Sequence, residues 1–163
     1  MSIFEIDNDP MSKSESPWYE NSLLATATLK NYSETIEKIT KEQNFDSDLV
    51  KSIMWAENAR GGYWGAGYLF DKVKITDSIM PMNINPILWS KILTEDKKNL
   101  YKPENNIEAA TILLKRIKAR IINPTPEKIA AIWQFGGAEK TNDYSAYVGR
   151  IYKEKPWLKT NQK

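Results

Sequence analysis

The stretch that most constrains the fold is residues 48–67, DLVKSIMWAENARGGYWGAG, where a helical pattern reaches a carboxylate and then gives way to glycines and aromatic side chains. An apolar stripe at helical spacing is formed by Val50, Ile53 and Met54. The next step along that stripe falls on Glu57, which we expect on the last turn of a buried helix, facing a loop-walled space. Desolvation there disfavours the charged form of a carboxyl group, as a general acid near neutral pH requires. The alternatives are a glutamate that rotates to solvent and one that pairs with Arg60 across one turn.

The composition excludes several kinds of chemistry. The chain has no Cys and no His, which removes disulfide frameworks, cysteine nucleophiles, triads with a histidine base and the usual zinc sites. Its 23 basic and 21 acidic residues nearly balance, so the charge does not indicate a nucleic-acid or membrane-surface protein. We therefore expect no metal and no organic cofactor, with catalysis left to carboxylates, Lys, Tyr, Ser or Thr.

The expected organisation is a single domain with short flexible ends. Residues 1–16 are acidic and Ser-containing with little apolar content, which predicts a flexible leader, and residues 158–163 predict a flexible tail. The domain between them covers residues 17–157. No stretch approaches the length of a membrane span, and the acidic N-terminus MSIFEIDNDP is unlike a secretory signal. We expect a protein that is made in the cytoplasm without a signal peptide.

Helical periodicity recurs along this domain. The strongest pattern covers residues 104–121, between Pro103 and Pro124, and predicts the central core helix. Other predicted helices begin at Ser16-Pro17 with a break near Asn31 and Ser33, at a cap on Asp46 or Ser47, at Asn85-Pro86, at Thr125-Pro126 and at about Asp143. With six to seven helices and at most one small β-hairpin within residues 60–78, the expected class is mainly α.

Several segments, taken in order, resemble the lytic transglycosylase branch of the lysozyme superfamily. That family has a helix ending in a catalytic Glu, then a G-L-M-Q-I-x-P element, an N-I-x-x-G helix, an A-Y-N-A-G turn and a Y-V-x-R-V helix. The counterparts here are IMWAEN with Glu57, MPMNINP from Met80 to Pro86, PENNIEAATILLKRI from Pro103 to Ile117, AIWQFGG from Ala131 to Gly137 and AYVGRIY from Ala146 to Tyr152. The resemblance spans roughly residues 47–152, and it depends on the order and spacing of the motifs.

The sequence departs from the family at several motif positions. Asn58 stands where the family has Ser, Met80-Pro81 replaces Gly-Leu, Asn83 replaces Gln, and Trp133-Gln134 replaces Tyr-Asn. Amide and aromatic residue types are nevertheless kept in the motifs, so a saccharide cleft remains the expectation.

The resemblance implies a lysozyme-like fold and cleavage of peptidoglycan between N-acetylmuramic acid and N-acetylglucosamine. Glu57 would protonate the glycosidic oxygen, and the substrate's own acetamido oxygen would stabilise the developing positive charge, so one enzymic carboxyl group suffices. Glu57 would then act as base, either on the muramyl 6-hydroxyl, which gives an anhydro product, or on water, which gives a hydrolysed end.

Six other residues are candidate substrate contacts. Each also has an ordinary structural explanation: a turn for the asparagine, core packing for the residues on helical faces, and surface exposure for the rest. They are Asn83, Trp133, Gln134, Tyr147, Trp64 and Tyr63. For Tyr147 the resemblance implies a phenol hydrogen bond near Glu57.

A second carboxylate could position water for hydrolysis. The candidates are Asp77, Asp71 and Asp143. A solvated side chain is the favoured interpretation for the first two, and a helix N-cap is favoured for Asp143.

The function expected from the resemblance is peptidoglycan cleavage by a monomeric enzyme. The substrate lies outside the membrane and no signal peptide is visible, so we expect an antibacterial effector, a toxin delivered by a secretion system. It would act in the periplasm or cell wall of a target cell. A cognate immunity protein would block it in the producing cell. The alternatives are a phage-type endolysin, a chitinase-like amino-sugar hydrolase and a non-catalytic glycan-binding protein.

Overall fold

The computed structural model describes residues 5–13, 20–59, 80–84 and 100–159, and the chain is mainly helical, as the sequence predicts. The helices are α1 (Ser22–Gln43), α2 (Ser47–Ala59), α3 (Pro103–Arg120), α4 (Pro126–Gln134), α5 (Asp143–Glu154) and the short α6 (Pro156–Lys159). The hairpin expected within residues 60–78 and the helix expected from Asn85-Pro86 lie outside the described residues. Among the described helices, none combines the length and apolar character needed to cross a membrane.

Helix α1 is continuous, so the break expected near Asn31 and Ser33 is wrong. Its first turn is capped by Asn21, whose side-chain oxygen accepts from the backbone N–H of Leu24 at 2.9 Å. The helix buries Leu29, Ile36 and Ile39 on one face. Burial of that apolar face outweighs the weak helix propensity of two polar residues, because most helix stability in proteins comes from packing. The helix start expected at Ser16 lies outside the described residues.

Helix α2 is the buried centre of the molecule. It begins after Asp46, whose Oδ1 accepts from the backbone N–H of Asp48 at 2.9 Å. Of the two predicted caps, Asp46 and Ser47, the side chain of Asp46 therefore makes a capping contact. Every residue from Leu49 to Ala59 is buried, because α1 and α5 both pack against α2. The sequence therefore places Glu57 correctly on the last turn of a buried helix.

The remaining helices begin close to their predicted positions. Helix α3 starts at Pro103 and packs against α1 and α4. Thr125 caps α4 by accepting from the N–H of Lys128 at 3.2 Å, as predicted. Helix α5 is capped by Asn142, which forms a capping box with Ser145. Its N-cap is thus one residue earlier than the expected Asp143.

The N-terminal segment, residues 5–13, differs from the expected flexible leader. Ile6 is buried in the core, and Asp7 forms a parallel bridge with Lys140. The backbone N–H of Asp7 donates to the Glu139 carbonyl, and the Asp7 carbonyl accepts from the N–H of Thr141, both at 2.9 Å. One apolar anchor and a short backbone ladder therefore hold this segment against the loop before α5.

Candidate active site

The Glu57 carboxylate is buried at the end of α2, with only 4% of the residue exposed. Its Oε1 accepts from the hydroxyl of Tyr144 on α5 at 2.6 Å, and its Oε2 accepts from the side-chain N–H of Asn83 at 2.8 Å. Two uncharged donors from separate elements thus hold the two oxygens of one carboxyl group. The alternative in which Glu57 rotates to solvent is wrong. The alternative of pairing with Arg60 is not tested, because Arg60 lies outside the described residues.

The Tyr144 contact is compatible with both protonation states of Glu57. A phenol hydroxyl can donate to a carboxylate and can accept from a carboxylic acid, so the oxygen–oxygen contact can persist when Glu57 gains or loses a proton. Asn83 keeps a second N–H and a carbonyl oxygen beyond its bond to Glu57. These contacts orient the carboxyl group and are compatible with general acid–base chemistry.

The segment that carries Asn83, residues 80–84, is held by two buried asparagines. Asn58 donates to the carbonyl of Pro81 at 3.0 Å and to the carbonyl of Met54 at 2.8 Å. Asn106 accepts from the backbone N–H of Met82 at 2.9 Å. These bonds tie the segment to α2 and α3, next to the residue that contacts Glu57.

The backbone of Asn83 is left-handed, with a φ of 59°. Asparagine adopts this conformation more readily than most non-glycine residues, because its short polar side chain can bond locally. Asn83 can therefore be both a turn residue and a residue that contacts Glu57.

Tyr144 makes the phenol contact that the resemblance implied for Tyr147. The hydroxyl of Tyr147 instead donates to Glu20 Oε1 at 2.8 Å and accepts from Trp55 Nε1 at 3.1 Å. Burial raises the pKa of Tyr147, and the Glu20 carboxylate raises it further. Tyr147 therefore joins α5 to α2 one turn away from the Glu57 contact. Tyr144 and Tyr147 are three residues apart on α5, and helical spacing alone does not indicate which hydroxyl reaches Glu57.

The two residues of the predicted Trp-Gln motif have different environments. Trp133 is 5% exposed and belongs to the hydrophobic core, so the packing interpretation is the one observed. Gln134 is half-buried, and its Oε1 accepts from the side-chain N–H of Asn142 at 2.9 Å. Gln134 therefore holds Asn142, the N-cap of α5, and α5 is the helix that carries Tyr144.

Asp143 is exposed on the first turn of α5, and its Oδ1 accepts from the backbone N–H of Lys13 at 2.8 Å. It therefore holds the end of the N-terminal segment, and its suggested role as a second carboxylate stays a prediction. The other candidates, Tyr63, Trp64, Asp71 and Asp77, lie outside the described residues.

The structure contains a groove of about 420 Å³, and Glu57 itself is not among the described residues that line it. Tyr144, which donates to Glu57, is one of its lining residues. The lining comes from the N-terminal segment, the end of α4, the loop before α5 and the start of α5. Within the four described ranges, no group of three His, Cys, Asp or Glu side chains is arranged to hold a metal ion.

Comparison with protein-family models, with curated proteins and with solved structures found no match to this chain.

Proposed function

We propose that this chain is a glycosidase with a lysozyme-like fold that cleaves peptidoglycan glycan strands, using Glu57 as its single general acid/base. The observation that supports this most is the environment of Glu57. Its buried carboxyl group lies at the end of a helix and accepts hydrogen bonds at both oxygens, and one of the donors, Tyr144, lines a groove.

The proposed reaction begins with a proton on Glu57. The carboxylic acid protonates the oxygen between N-acetylmuramic acid and N-acetylglucosamine, and the bond from that oxygen to the muramyl anomeric carbon breaks. The substrate's acetamido oxygen stabilises the positive charge on that carbon. The Glu57 carboxylate then takes a proton, either from the muramyl 6-hydroxyl or from water, as the new bond to the anomeric carbon forms. Its own proton is thereby restored.

The neighbours of Glu57 have separate roles in this scheme. Tyr144 fixes the direction of Oε1, while Asn83 fixes Oε2 and retains polar atoms that can bond an acetamido group of the substrate. Precise placement of a catalytic carboxyl group lowers the cost of reaching the reactive geometry.

Digestion of purified peptidoglycan sacculi tests the proposal. Wild-type protein should release soluble muropeptides, and Glu57→Gln should slow release by about 100-fold or more, because general acid–base catalysis typically contributes at least that much. Glu108→Gln, on the exposed side of α3, is the matched control and should behave like wild type. Equal release by wild type and Glu57→Gln would refute the role of Glu57.

Mass spectrometry of the products distinguishes the two outcomes of the second step. Anhydro-muramyl ends indicate transglycosylation, and reducing ends indicate hydrolysis. A parallel digestion of chitin tests the alternative substrate, since a chitinase-like enzyme would cleave chitin in preference to sacculi.

A further inference from the structure

The groove beside Tyr144 has a wall that the family resemblance does not include. Asp9, Met11 and Ser12 of the N-terminal segment form this wall, and Gln134 and Phe135 at the end of α4 also line the groove. The resemblance covers only residues 47–152, so this wall belongs to the part of the chain that lies outside the matched motifs.

The wall is attached at several points along its length. Beyond the backbone ladder at Asp7, the backbone N–H of Asp9 donates to Thr141 Oγ1 at 2.9 Å. The backbone N–H of Lys13 donates to Asp143 Oδ1 at 2.8 Å. The residues between these two contacts, which include Met11, are thereby held at the groove edge without their side chains being used.

The lining of the groove combines apolar and polar side chains. Met11 in the N-terminal segment is 76% exposed and Phe135 at the end of α4 is 60% exposed, so both present a large apolar side chain to solvent. Beside them are the amides of Gln134 and Asn142. Apolar surface with a few fixed polar groups is typical of ligand sites, and an aromatic ring can pack on the apolar face of a sugar while amides bond its substituents.

The charged groups on the groove favour a ligand without negative charge. Asp9 and Asp143 both line it, whereas none of the described lining residues is Lys or Arg. Lys13 follows the lining residue Ser12 and Lys140 precedes the lining residue Thr141, but neither lysine lines the groove. In a glycan strand the N-acetylglucosamine units are neutral, while the muramyl units carry a lactyl carboxylate or a peptide.

We propose that this groove is a subsite for a neutral N-acetylglucosamine unit and that Met11, from the N-terminal segment, and Phe135, at the end of α4, determine its affinity. This inference rests on the proposed function for its place next to the cleavage site. It adds the N-terminal segment to the substrate-binding surface and states which sugar of the alternating strand occupies the groove.

Direct binding to the full-length Glu57→Gln variant tests this subsite. The probe is the β-1,4-linked tetramer of N-acetylglucosamine, measured by calorimetry and by amide chemical-shift changes. We expect Met11→Ala and Phe135→Ala, each added to Glu57→Gln, to weaken binding about five- to tenfold. Leu23→Ala removes an 84% exposed side chain outside the lining and should leave affinity unchanged.

A second comparison tests the charge preference. Asp143→Asn keeps an oxygen for the Lys13 N–H and removes one negative charge from the groove. It should raise the affinity for a muramyl-containing oligosaccharide relative to the neutral tetramer by about threefold, since a single screened charge has a small effect near the surface. An unchanged ratio would refute the charge argument.

The inference and the proposed function fail in different ways. Wild-type protein that binds the tetramer in the groove but leaves sacculi intact would refute the enzyme and retain the subsite. Wild-type protein that cleaves sacculi, while Met11→Ala and Phe135→Ala retain parental tetramer affinity, would refute the subsite. Absence of tetramer binding by Glu57→Gln at millimolar concentration would also refute it.

Discussion

The hydroxyl of Tyr144 donates to Oε1 of Glu57 at 2.6 Å across 87 residues of sequence, and this bond joins the first turn of α5 to the last turn of α2. Because α2 and α5 pack directly against each other, the position of the carboxyl group depends on how the two helices are packed. One turn further along α5, Tyr147 bonds Trp55 of α2. Side-chain hydrogen bonds thus connect α2 and α5 at two positions, one turn apart along α5.

Removal of the Tyr144 hydroxyl should reduce catalysis more than it reduces folding. Tyr144→Phe keeps the ring and deletes one hydrogen bond to a carboxyl group, an interaction that contributes about 1.5–3 kcal/mol when the partner is charged. We expect kcat on sacculi to fall about ten- to a hundredfold, while far-ultraviolet circular dichroism stays unchanged. Tyr101→Phe alters a 69% exposed tyrosine and provides the control. Wild-type kcat in Tyr144→Phe would show that the contact does not position Glu57.

Asn58 should matter for stability because its amide bonds two backbone carbonyls. Asn58→Ala leaves the carbonyl of Pro81 without that donor in a buried environment, and the loss should cost about 1–3 kcal/mol in the free energy of unfolding. Urea unfolding measures this cost. Asn105→Ala, half-buried at the start of α3, should cost less than half as much. Similar losses in the two variants would contradict the role assigned to the Asn58 contacts.

The free energy of unfolding should fall as the pH rises above about 10. A hydrogen bond to Asp46, with partial burial, raises the pKa of Tyr152 to about 12, and burial raises the pKa of Tyr147. An unfolded tyrosine titrates near pH 10, so above that pH the unfolded chain loses protons that the folded chain retains. Folding is therefore favoured fully below about pH 10 and progressively less above it, up to the folded pKa values.

Urea unfolding between pH 8 and pH 12 measures this dependence. Tyr152→Phe should be less steep than wild type above pH 10, whereas Tyr101→Phe should keep the wild-type slope. A slope that is the same in all three proteins would assign the alkaline loss of stability to other groups.

The helices and the position of Glu57 could be predicted because they depend on neighbouring residues. The spacing of apolar residues, together with Thr125-Pro126 and Pro103, locates helix starts within a residue or two. Glu57 follows from the same periodicity, since a carboxylate at the next position of a buried stripe must lie at the end of a buried helix.

The contacts between distant segments could not be predicted in the same way. Pairing of Asp7 with Lys140 depends on how the N-terminal segment packs against the loop before α5, and the composition of that segment is typical of disorder. The choice between Tyr144 and Tyr147 depends on the relative rotation of two packed helices, which helical spacing leaves open. Asn83 was predicted as a substrate contact, and its bond to Glu57 appears only once α2 and residues 80–84 are brought together.

Ser12→Ala should stabilise the protein. Within the part of the chain that the structure describes, the Oγ of Ser12 is buried and has no hydrogen-bond partner, and such a group bears a desolvation cost that alanine does not. We expect a gain of about 1 kcal/mol, or about 2–4 °C in the thermal unfolding midpoint for a chain of this size. Ser145→Ala is the matched control, because its Oγ accepts from the N–H of Asn142 at 2.7 Å in the α5 capping box, and its loss should lower stability by about 1 kcal/mol. A decrease in the midpoint for Ser12→Ala would show that its hydroxyl is hydrogen-bonded in solution.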